Sequence, residues 1–480
     1  MSFALSDLLA GAAGSQPPAL EVEGVNADSR AILPGEAFFA LPGTRVHGDA
    51  FATEAIGRGA SVMVTDRVPA GDVGVPVVVV EDVRAAYARA AARQFAPQSE
   101  TSVAVTGTNG KSSIVSFVRQ IWAAAGIKAA SLGTVGVETA AGIRPRELTT
   151  SDPLLLHRDL SQLKAEGIDH VAMEASSQGL DQRRVDGLRF NAVAFTNLSR
   201  DHLDYHRDME TYRDAKLRLF KDLIAENGAA IVNCDDPEHG PFLFAALDRG
   251  ARLLTVGAEG AFFEIETIVN QGYGQRVEGR LAGEPVSFTL PLTGAFQVSN
   301  AVVALALAMS TGAPPERALP ALETLKGARG RLELVAEHNG AAIFVDYSHK
   351  PVALETALVA LRPYARNRLH LVFGAGGDRD KGKRPIMGDV ASRFADRVIV
   401  TDDNPRTEDA ATIRSEILNS APGAREVGDR RSAIGAAIGD LRSGDVLLIA
   451  GKGHEDYQII GATKHHFSDH EVVLETLREL

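Results

Sequence analysis

Short apolar runs that end in turns, followed by stretches with helical spacing of apolar residues, recur along most of this chain. Their order sets the architecture. In the first part, Ala60-Ser-Val-Met-Val-Thr65 and Val75-Pro-Val-Val-Val-Val80 predict strands, Val83 to Phe95 an alanine-rich helix, and Pro97-Gln-Ser-Glu100 a linker. From residue 101 the pattern becomes strand, helix, strand: Val103-Ala-Val, a helix after Lys111, His170-Val-Ala-Met173, Ala192-Val-Ala-Phe195 and Ala230-Ile-Val232. A less regular region, 261–291, leads through Gly294 to Asn300 into an apolar helix over 301–310. Beyond Gly327-Ala-Arg-Gly-Arg331 the alternation restarts, with strands at 342–345, 369–373, 397–400 and 446–450 and helices over 351–361, 385–394, 408–418 and 431–440. Such alternation argues for an α/β protein with mostly parallel sheets covered by helices. Three domains are expected, over 1–98, 99–328 and 329–480.

In open sheets of this kind ligands bind beyond the carboxyl ends of the strands. The polar clusters fall at those ends: Gly107–Lys111, Glu174–Ser177, Asn197–Asp204, Asp346–His349, Gly374–Asp380, Asp402–Arg406 and Gly451–Glu455. One such cluster could be accidental; the series argues for a large composite site.

The first cluster is the most specific. An apolar strand enters Thr106-Gly-Thr-Asn-Gly-Lys-Ser-Ser113 and leaves into an apolar helix. Backbone N–H groups of Gly107, Thr108, Asn109 and Gly110 at a helix N-terminus can converge on phosphates. Lys111 can neutralise the outer ones, and the hydroxyl of Ser112 or Ser113 can ligate Mg²⁺. The loop is shorter than the usual phosphate-binding pattern, with only Thr108 and Asn109 between Gly107 and Gly110. The chain therefore reads as an ATP user. Glu174, at a neighbouring strand end, suits Mg²⁺ beside a loop hydroxyl, or else caps a helix. His202 could ligand or order the same ion. His202 and His206 are four apart but lack the intervening glutamate of a zinc helix. Lys216 shares a helical face with Tyr212, Leu219 and Phe220; it is either a snorkelling amine or a buried one able to lose its proton.

Composition narrows the partners. A formal charge of −12 disfavours nucleic acid, though local arginines can still hold an anionic small substrate. The single cysteine, Cys234, excludes an intrachain disulfide and a cysteine metal cluster. No apolar run is long enough to cross a bilayer and the N-terminus lacks the pattern of a signal peptide, so cytoplasmic residence without membrane insertion is expected; a monomer is a separate expectation. In the last third, the basic glycine-rich turn 374–383, Asp402-Asp-Asn-Pro-Arg406 and Gly451-Lys-Gly-His-Glu-Asp456 could together grip a zwitterion, arginines on its carboxylate and an acid on its ammonium.

Taken together, Thr106–Ser113, Glu174-Ala-Ser-Ser177, Asn197–His206, Asp346-Tyr-Ser-His349 and Asp403-Asn-Pro-Arg406 resemble the Mur ligases of peptidoglycan synthesis over nearly the full length, and within them the diaminopimelate-adding branch. The resemblance implies an N-terminal domain for a UDP-sugar, a P-loop-type central ATPase domain and a Rossmann-like C-terminal domain for an incoming amino acid. It implies that ATP activates the D-glutamyl carboxylate of UDP-N-acetylmuramoyl-L-alanyl-D-glutamate as an acyl phosphate, which the amine of meso-diaminopimelate then attacks. By the same resemblance, Lys111 holds the β/γ-phosphates, Ser112 and Glu174 serve one Mg²⁺ and His202 a second. Lys216 matches the family lysine that CO₂ converts to a carbamate. Asn300, Arg331 and Asp346 match nucleotide-side positions. Ser29 matches a uridine-diphosphate contact, and Thr149, Thr150, Ser176, Gln182 and Arg184 match residues around the acceptor peptide. Arg379, Asn404, Arg406, Gly451 and Glu455 match the diaminopimelate pocket. Gln178, Arg207, Gln297 and Ser348 depart from the residues common at their positions. The competing readings are a ligase of the same type adding L-lysine or another diamino acid, a folylpolyglutamate synthase-like ligase, and a non-enzymatic nucleotide-binding scaffold. Asp403-Asn-Pro-Arg406 speaks against the second, and Lys111, Glu174, His202 and Lys216 together against the third.

Overall fold

The computed structural model describes residues 2–12, 17–43, 46–202 and 205–480. Leu203 and Asp204, inside the 197–206 cluster, lie outside the described residues. The chain divides into two compact units, one of residues 1–266, 279–286 and 299–322, the other of 267–278, 287–298 and 323–480.

The first unit is built on a four-stranded parallel sheet and a larger sheet whose central strands are parallel. A four-stranded one runs in the order Val25–Asn26, Ala37–Phe39, Val62–Thr65, Val77–Val79, all parallel. Its β-branched and aromatic positions pack under the helix Val83–Gln94, whose alanines let it sit close to the sheet. Asp82 begins that helix by accepting from the Ala85 N–H. The larger sheet places Thr101–Thr106 centrally, between His170–Glu174 and Phe190–Phe195, with Ala129–Gly133 beyond the former and Ile224–Asn233 and Arg252–Gly257 beyond the latter, all parallel. These strands are apolar on both faces, as a sheet covered on both sides requires. The helices Lys111–Ala124 and Met209–Lys221 follow two of the strand ends. Among the parallel strands of the larger sheet, 129–133 and 252–257 were not expected: Ala129-Ala-Ser-Leu-Gly133 is small and short, and it becomes a strand because it pairs with 170–173.

In the second unit a six-stranded sheet runs Glu333–His338, Ala341–Asp346, Val446–Ala450, Leu369–Phe373, Arg397–Val400, Arg425–Glu426. The first pair is antiparallel and the rest are parallel. Its expected strands and helices are present within about two residues at their ends, the usual scatter of helix limits. The helix expected over 301–310 begins earlier, at Ala295, so Gln297 and Asn300 are helical and not part of an approach loop. Among the described residues no helix is long and apolar enough to cross a membrane.

Candidate active site

The strand Thr101–Thr106 delivers the chain into a turn that only glycine can make. Gly107 has φ +143° and Gly110 φ +88°, and a Cβ would overlap the Thr196 hydroxyl at the first and the Asn300 amide oxygen at the second. The helix then starts at Lys111 without a side-chain cap, so its N-terminal N–H groups face the turn. Lys111 Nζ donates to the carbonyls of Gly107 (2.9 Å) and Thr108 (2.8 Å). From the strand end at 195, Asn197 Oδ1 accepts from the Asn109 N–H at 2.9 Å and Thr196 Oγ1 donates to Asn109 O at 2.7 Å, so the turn is braced from the side. Next to it, Leu198, Ser199, Arg200, Met209, Glu210, Arg213 and Glu238 line a cavity of about 590 Å³, within the size range of small-molecule sites.

Glu174 is the last residue of its strand and is buried. One carboxylate oxygen accepts from Ser112 Oγ and from the Thr134 N–H, each at 2.8 Å. A buried hydroxyl against a buried carboxylate is a hard-oxygen donor pair of the kind Mg²⁺ takes when phosphates and water complete its shell. His202 lies on the next strand's loop in a left-handed conformation, φ +53°, with Nε2 3.6 Å from Asp201 Oδ2. Among the described residues no group of three or more His, Cys, Asp or Glu side chains converges as a metal centre.

Lys216 is 1% exposed. Its Nζ donates to Gly107 O at 2.8 Å and sits 4.4 Å from the centre of the Tyr212 ring, while the Tyr212 hydroxyl and Thr108 Oγ1 are 3.1 Å apart. Burial, and then the Lys111 charge, push the amine well below the ordinary lysine range, with Asp201 opposing. The helix that carries it starts at Met209 behind a capping box of Asp208 and Thr211, so His202 and His206 lie before it.

The residues matched to the acceptor peptide form one network. Thr150 Oγ1 donates to Glu174 O (2.9 Å) and is 3.0 Å from Ser176 Oγ; Thr149 Oγ1 is 3.0 Å from Thr134 Oγ1. Arg184 donates to Thr150 O and to Gln182 Oε1, each at 2.8 Å, and Gln182 Nε2 reaches the Tyr205 hydroxyl at 3.1 Å. Thus Thr149, Thr150, Ser176, Gln182 and Arg184 are brought to Glu174 and through it to Ser112. Ser29 belongs to the four-stranded layer, where its hydroxyl donates to Glu54 at 2.6 Å.

In the second unit Asp346, Gly374, Thr401 and Gly451 stand at the carboxyl ends of parallel strands or just past them. Asp346 accepts from the Leu332 N–H (2.7 Å), the Ser348 N–H (2.9 Å) and the Ser348 hydroxyl; burial pushes its carboxyl up. Arg331 lies 4.8 Å from the Tyr347 ring centre. Burial also holds His349 at about 4. Arg406, at φ +53°, donates through Nη1 to Gly377 O at 2.8 Å. Asn404 Nδ2 donates to Glu455 Oε2 at 3.0 Å, and a side chain at Gly451, φ +117°, would run into Asp403. Arg379 is exposed on the neighbouring turn.

Sequence reasoning missed Thr134, Tyr212, Lys452 and Gln458. Thr134 follows the unexpected strand 129–133; Tyr212 was read only as an aromatic neighbour of Lys216. Lys452 lies inside the Gly451–Glu455 cluster but carried no role of its own there, and Gln458 follows the cluster.

A phosphate-binding turn beside a buried Ser–Glu pair, on a parallel sheet, with a second α/β unit presenting a carboxylate–amide–arginine cluster, defines the class: a multidomain α/β protein built for nucleotide-dependent chemistry on small polar substrates. Family models agree, matching a Mur ligase family catalytic domain over residues 21–95, a Mur ligase middle domain over 105–308 and a Mur ligase glutamate ligase domain over 330–453. The chain is 51% identical over 468 residues to the UDP-N-acetylmuramoyl-L-alanyl-D-glutamate--2,6-diaminopimelate ligase of Mesorhizobium japonicum, covering 97% of each. It is 46% identical over 487 residues to the ligase of that name from Caulobacter vibrioides, covering 100% of this chain and 99% of the relative. A solved structure of a ligase of the same name superposes with a TM-score of 0.73 at 31% identity over 100% of this chain and 99% of that one. A Mycobacterium tuberculosis folylpolyglutamate synthase complexed with ADP and AMPPCP shares the fold alone, with a TM-score of 0.62 at 17% identity over 77% of this chain and 92% of that one. The chain belongs to the Mur ligase family and has its three-domain α/β architecture.

Proposed function

We propose that this chain is an ATP-dependent ligase that joins meso-2,6-diaminopimelate to the D-glutamyl carboxylate of UDP-N-acetylmuramoyl-L-alanyl-D-glutamate, releasing ADP and phosphate, in peptidoglycan precursor synthesis. The observation that carries the reading is likeness over nearly the whole chain, at 46 to 51% identity, to ligases named for that reaction.

A carboxylate resists an amine until one of its oxygens becomes a leaving group. Transfer of the γ-phosphoryl group of ATP to the carboxylate gives an acyl phosphate and ADP. The free amine adds to its carbonyl, loses a proton, and the tetrahedral intermediate collapses to the amide with departure of inorganic phosphate. Catalysis of both steps is mainly positioning and charge stabilisation. The Gly107–Gly110 N–H groups, Lys111 and Ser113 cradle the ATP phosphates, and Asn300, Arg331 and Asp346 serve the nucleotide. Ser112 and Glu174 would hold one Mg²⁺ and His202 would serve a second; such ions would supply neutralisation of the phosphate charge. Thr149, Thr150, Ser176, Gln182 and Arg184 orient the acceptor peptide, and Ser29 takes the uridine diphosphate. Arg379, Asn404, Arg406, Gly451 and Glu455 receive diaminopimelate.

Lys216 is read as the carbamylated residue. The ammonium first gives up one proton; the neutral amine then adds CO₂ and releases a second, leaving a carbamate anion that would help order a Mg²⁺ site. Its burial and its neighbour Lys111 favour the neutral amine that this addition requires. The domains run over 1–98, 99–328 and 329–480, and a nucleotide-linked substrate assigns the work to the cytoplasm.

The test supplies ATP, Mg²⁺ and the UDP-linked dipeptide with meso-diaminopimelate, L-lysine or L-ornithine in turn and weighs the product by mass spectrometry. Product with diaminopimelate alone is expected. Equal use of L-lysine would overturn the specificity, and no product with any amine the reaction itself.

A further inference from the structure

The charge least expected in the second unit is that of Lys452, whose side chain is fully buried. A buried lysine is costly unless it meets partners, and this one has two. Its Nζ donates to Asn404 Oδ1 at 3.2 Å and lies 3.4 Å from Glu455 Oε2; the Tyr457 ring centre is 5.6 Å away. Asn404 and Glu455 are the two residues assigned above to the incoming amino acid. Lys452 itself is fully buried behind them.

The same amide is held from a second side. The hairpin of Tyr457–Ile460 and Thr463–His466 donates the Ile459 N–H to Asn404 Oδ1 (2.9 Å) and Gln458 Nε2 to Asp403 O (2.7 Å). It also accepts the Arg406 N–H at Ile459 O (3.0 Å), while the Gly461 N–H donates to Arg406 O (2.7 Å). Two donors on Oδ1 leave one orientation of the Asn404 amide, with Nδ2 toward Glu455 at 3.0 Å. That contact occupies one amide hydrogen and one face of the carboxylate, and the other Glu455 oxygen is available to a cation.

We propose that Lys452 is a specificity-positioning residue for the incoming amino acid, fixing the Asn404 amide and compensating Glu455 so that the carboxylate receives the substrate's ammonium. The inference rests on the proposed function above. Facing Glu455 are Lys452, Asp403, Tyr347 and Tyr457, with Arg430 behind, itself bound to Asp469. Burial raises the Glu455 carboxyl and Asp403 adds to the rise, whereas Lys452 and the Asn404 amide lower it. Removing the lysine charge therefore tips Glu455 toward its neutral form, which attracts no ammonium.

The experiment measures kinetics of Lys452→Met, Glu455→Gln and the double variant on meso-diaminopimelate, ATP and the UDP-dipeptide across pH. Lys452→Met is expected to raise KM for diaminopimelate at least about tenfold, to leave KM for ATP and the dipeptide within about twofold, and to move the acidic limb of kcat/KM upward by about one pH unit. In the Glu455→Gln background the same change is expected to have less than about a threefold effect, because Lys452 acts through that carboxylate. An unchanged KM and acidic limb in Lys452→Met, or full additivity of the two substitutions, overturns the inference. If Lys452→Met fails to fold, Lys452→Gln, which can still donate to Asn404 Oδ1 but carries no charge, takes its place in the same cycle: the raised KM and shifted acidic limb, lost in the Glu455→Gln background, support the arrangement, and an unaltered profile sinks it. A wild-type enzyme that ligates no diaminopimelate overturns the proposed function and this inference with it.

Discussion

Replacing Lys216 with methionine should stabilise the fold while abolishing activity, an opposition that separates a functional buried charge from a structural one. Methionine has the length of the lysine stem, so the packing among Tyr212, Leu219 and Phe220 is kept while Nζ is lost. The contacts given up are a charge-assisted hydrogen bond to Gly107 O, about 1.5–3 kcal/mol, and a cation–π contact with Tyr212, about 0.5–2 kcal/mol. The carbonyl left behind is not orphaned, because Lys111 Nζ still donates to it at 2.9 Å. Against this stands the cost of burying the amine, which gives up either its hydration as an ammonium or its proton as a neutral base, several kcal/mol, and the nearby Lys111 charge adds to it. The balance is a gain of about 1–2 kcal/mol, which for a unit of this size raises Tm by about 2–8 °C. Thermal unfolding in CO₂-free buffer at neutral pH reads the stability, and phosphate release with ATP, dipeptide and diaminopimelate reads the activity. Turnover is expected to fall at least about a hundredfold. A Tm several degrees lower than wild type, or turnover within about tenfold of it, would refute the reasoning, since the lysine would then be a structural member of the core.

Gly107→Ala should lose at least about 2 kcal/mol of loop stability through strain at φ +143° and overlap with Thr196, read as a raised KM for ATP with an unaltered helical circular-dichroism spectrum. Arg406→Met should lower kcat/KM for diaminopimelate by about 10²–10³ and erase its advantage over L-lysine, measured by competition and mass spectrometry. His157, fully buried with Nε2 unpartnered and held at about 3 against an ordinary 6.5, refuses a proton that the unfolded chain accepts. Its contribution is therefore complete above pH 6.5 and is lost as pH falls, about 2 kcal/mol by pH 5. Denaturant unfolding of wild type and His157→Phe should show a shallower loss between pH 6.5 and 5 in the variant.

What could be read from the chain was what the chain writes contiguously. The phosphate turn needs neighbouring N–H groups, so its residues cannot be dispersed, and Thr106–Ser113 stood out at once. Glu174, Asp346 and Gly451 were legible for a related reason: each ends an apolar run, and in a parallel sheet that address is where ligands bind. The strand at 129–133 carries too little β-branched character to announce itself and exists by pairing. The helix from Ala295 starts ahead of its apolar run, where Gly294 and the polar Gln297, Ser299 and Asn300 imitate a loop. Partners such as Thr134 to Glu174, Tyr212 to Thr108 and Lys452 to Asn404 are 40, 104 and 48 residues apart, and no local pattern encodes contacts of that separation.

The two fully buried lysines near these sites show how environment assigns opposite tasks to one side chain. Lys216 has a carbonyl and an aromatic face within reach and a second lysine nearby, a setting that favours the uncharged amine. Lys452 has an amide oxygen and a carboxylate, a setting in which a charge is answered by a charge. A reactive amine and a structural cation therefore need no difference in residue type, only in what the strand ends place around them. The Lys216 and Lys452 variants should accordingly diverge: methionine is expected to raise Tm at 216, where it removes an amine that burial drives off its proton, and to lower it at 452, where it leaves the buried Glu455 carboxylate without its cation. Side-by-side thermal unfolding of the two variants decides the matter, and a rise at both positions would mean that the Lys452 contacts do not compensate its burial.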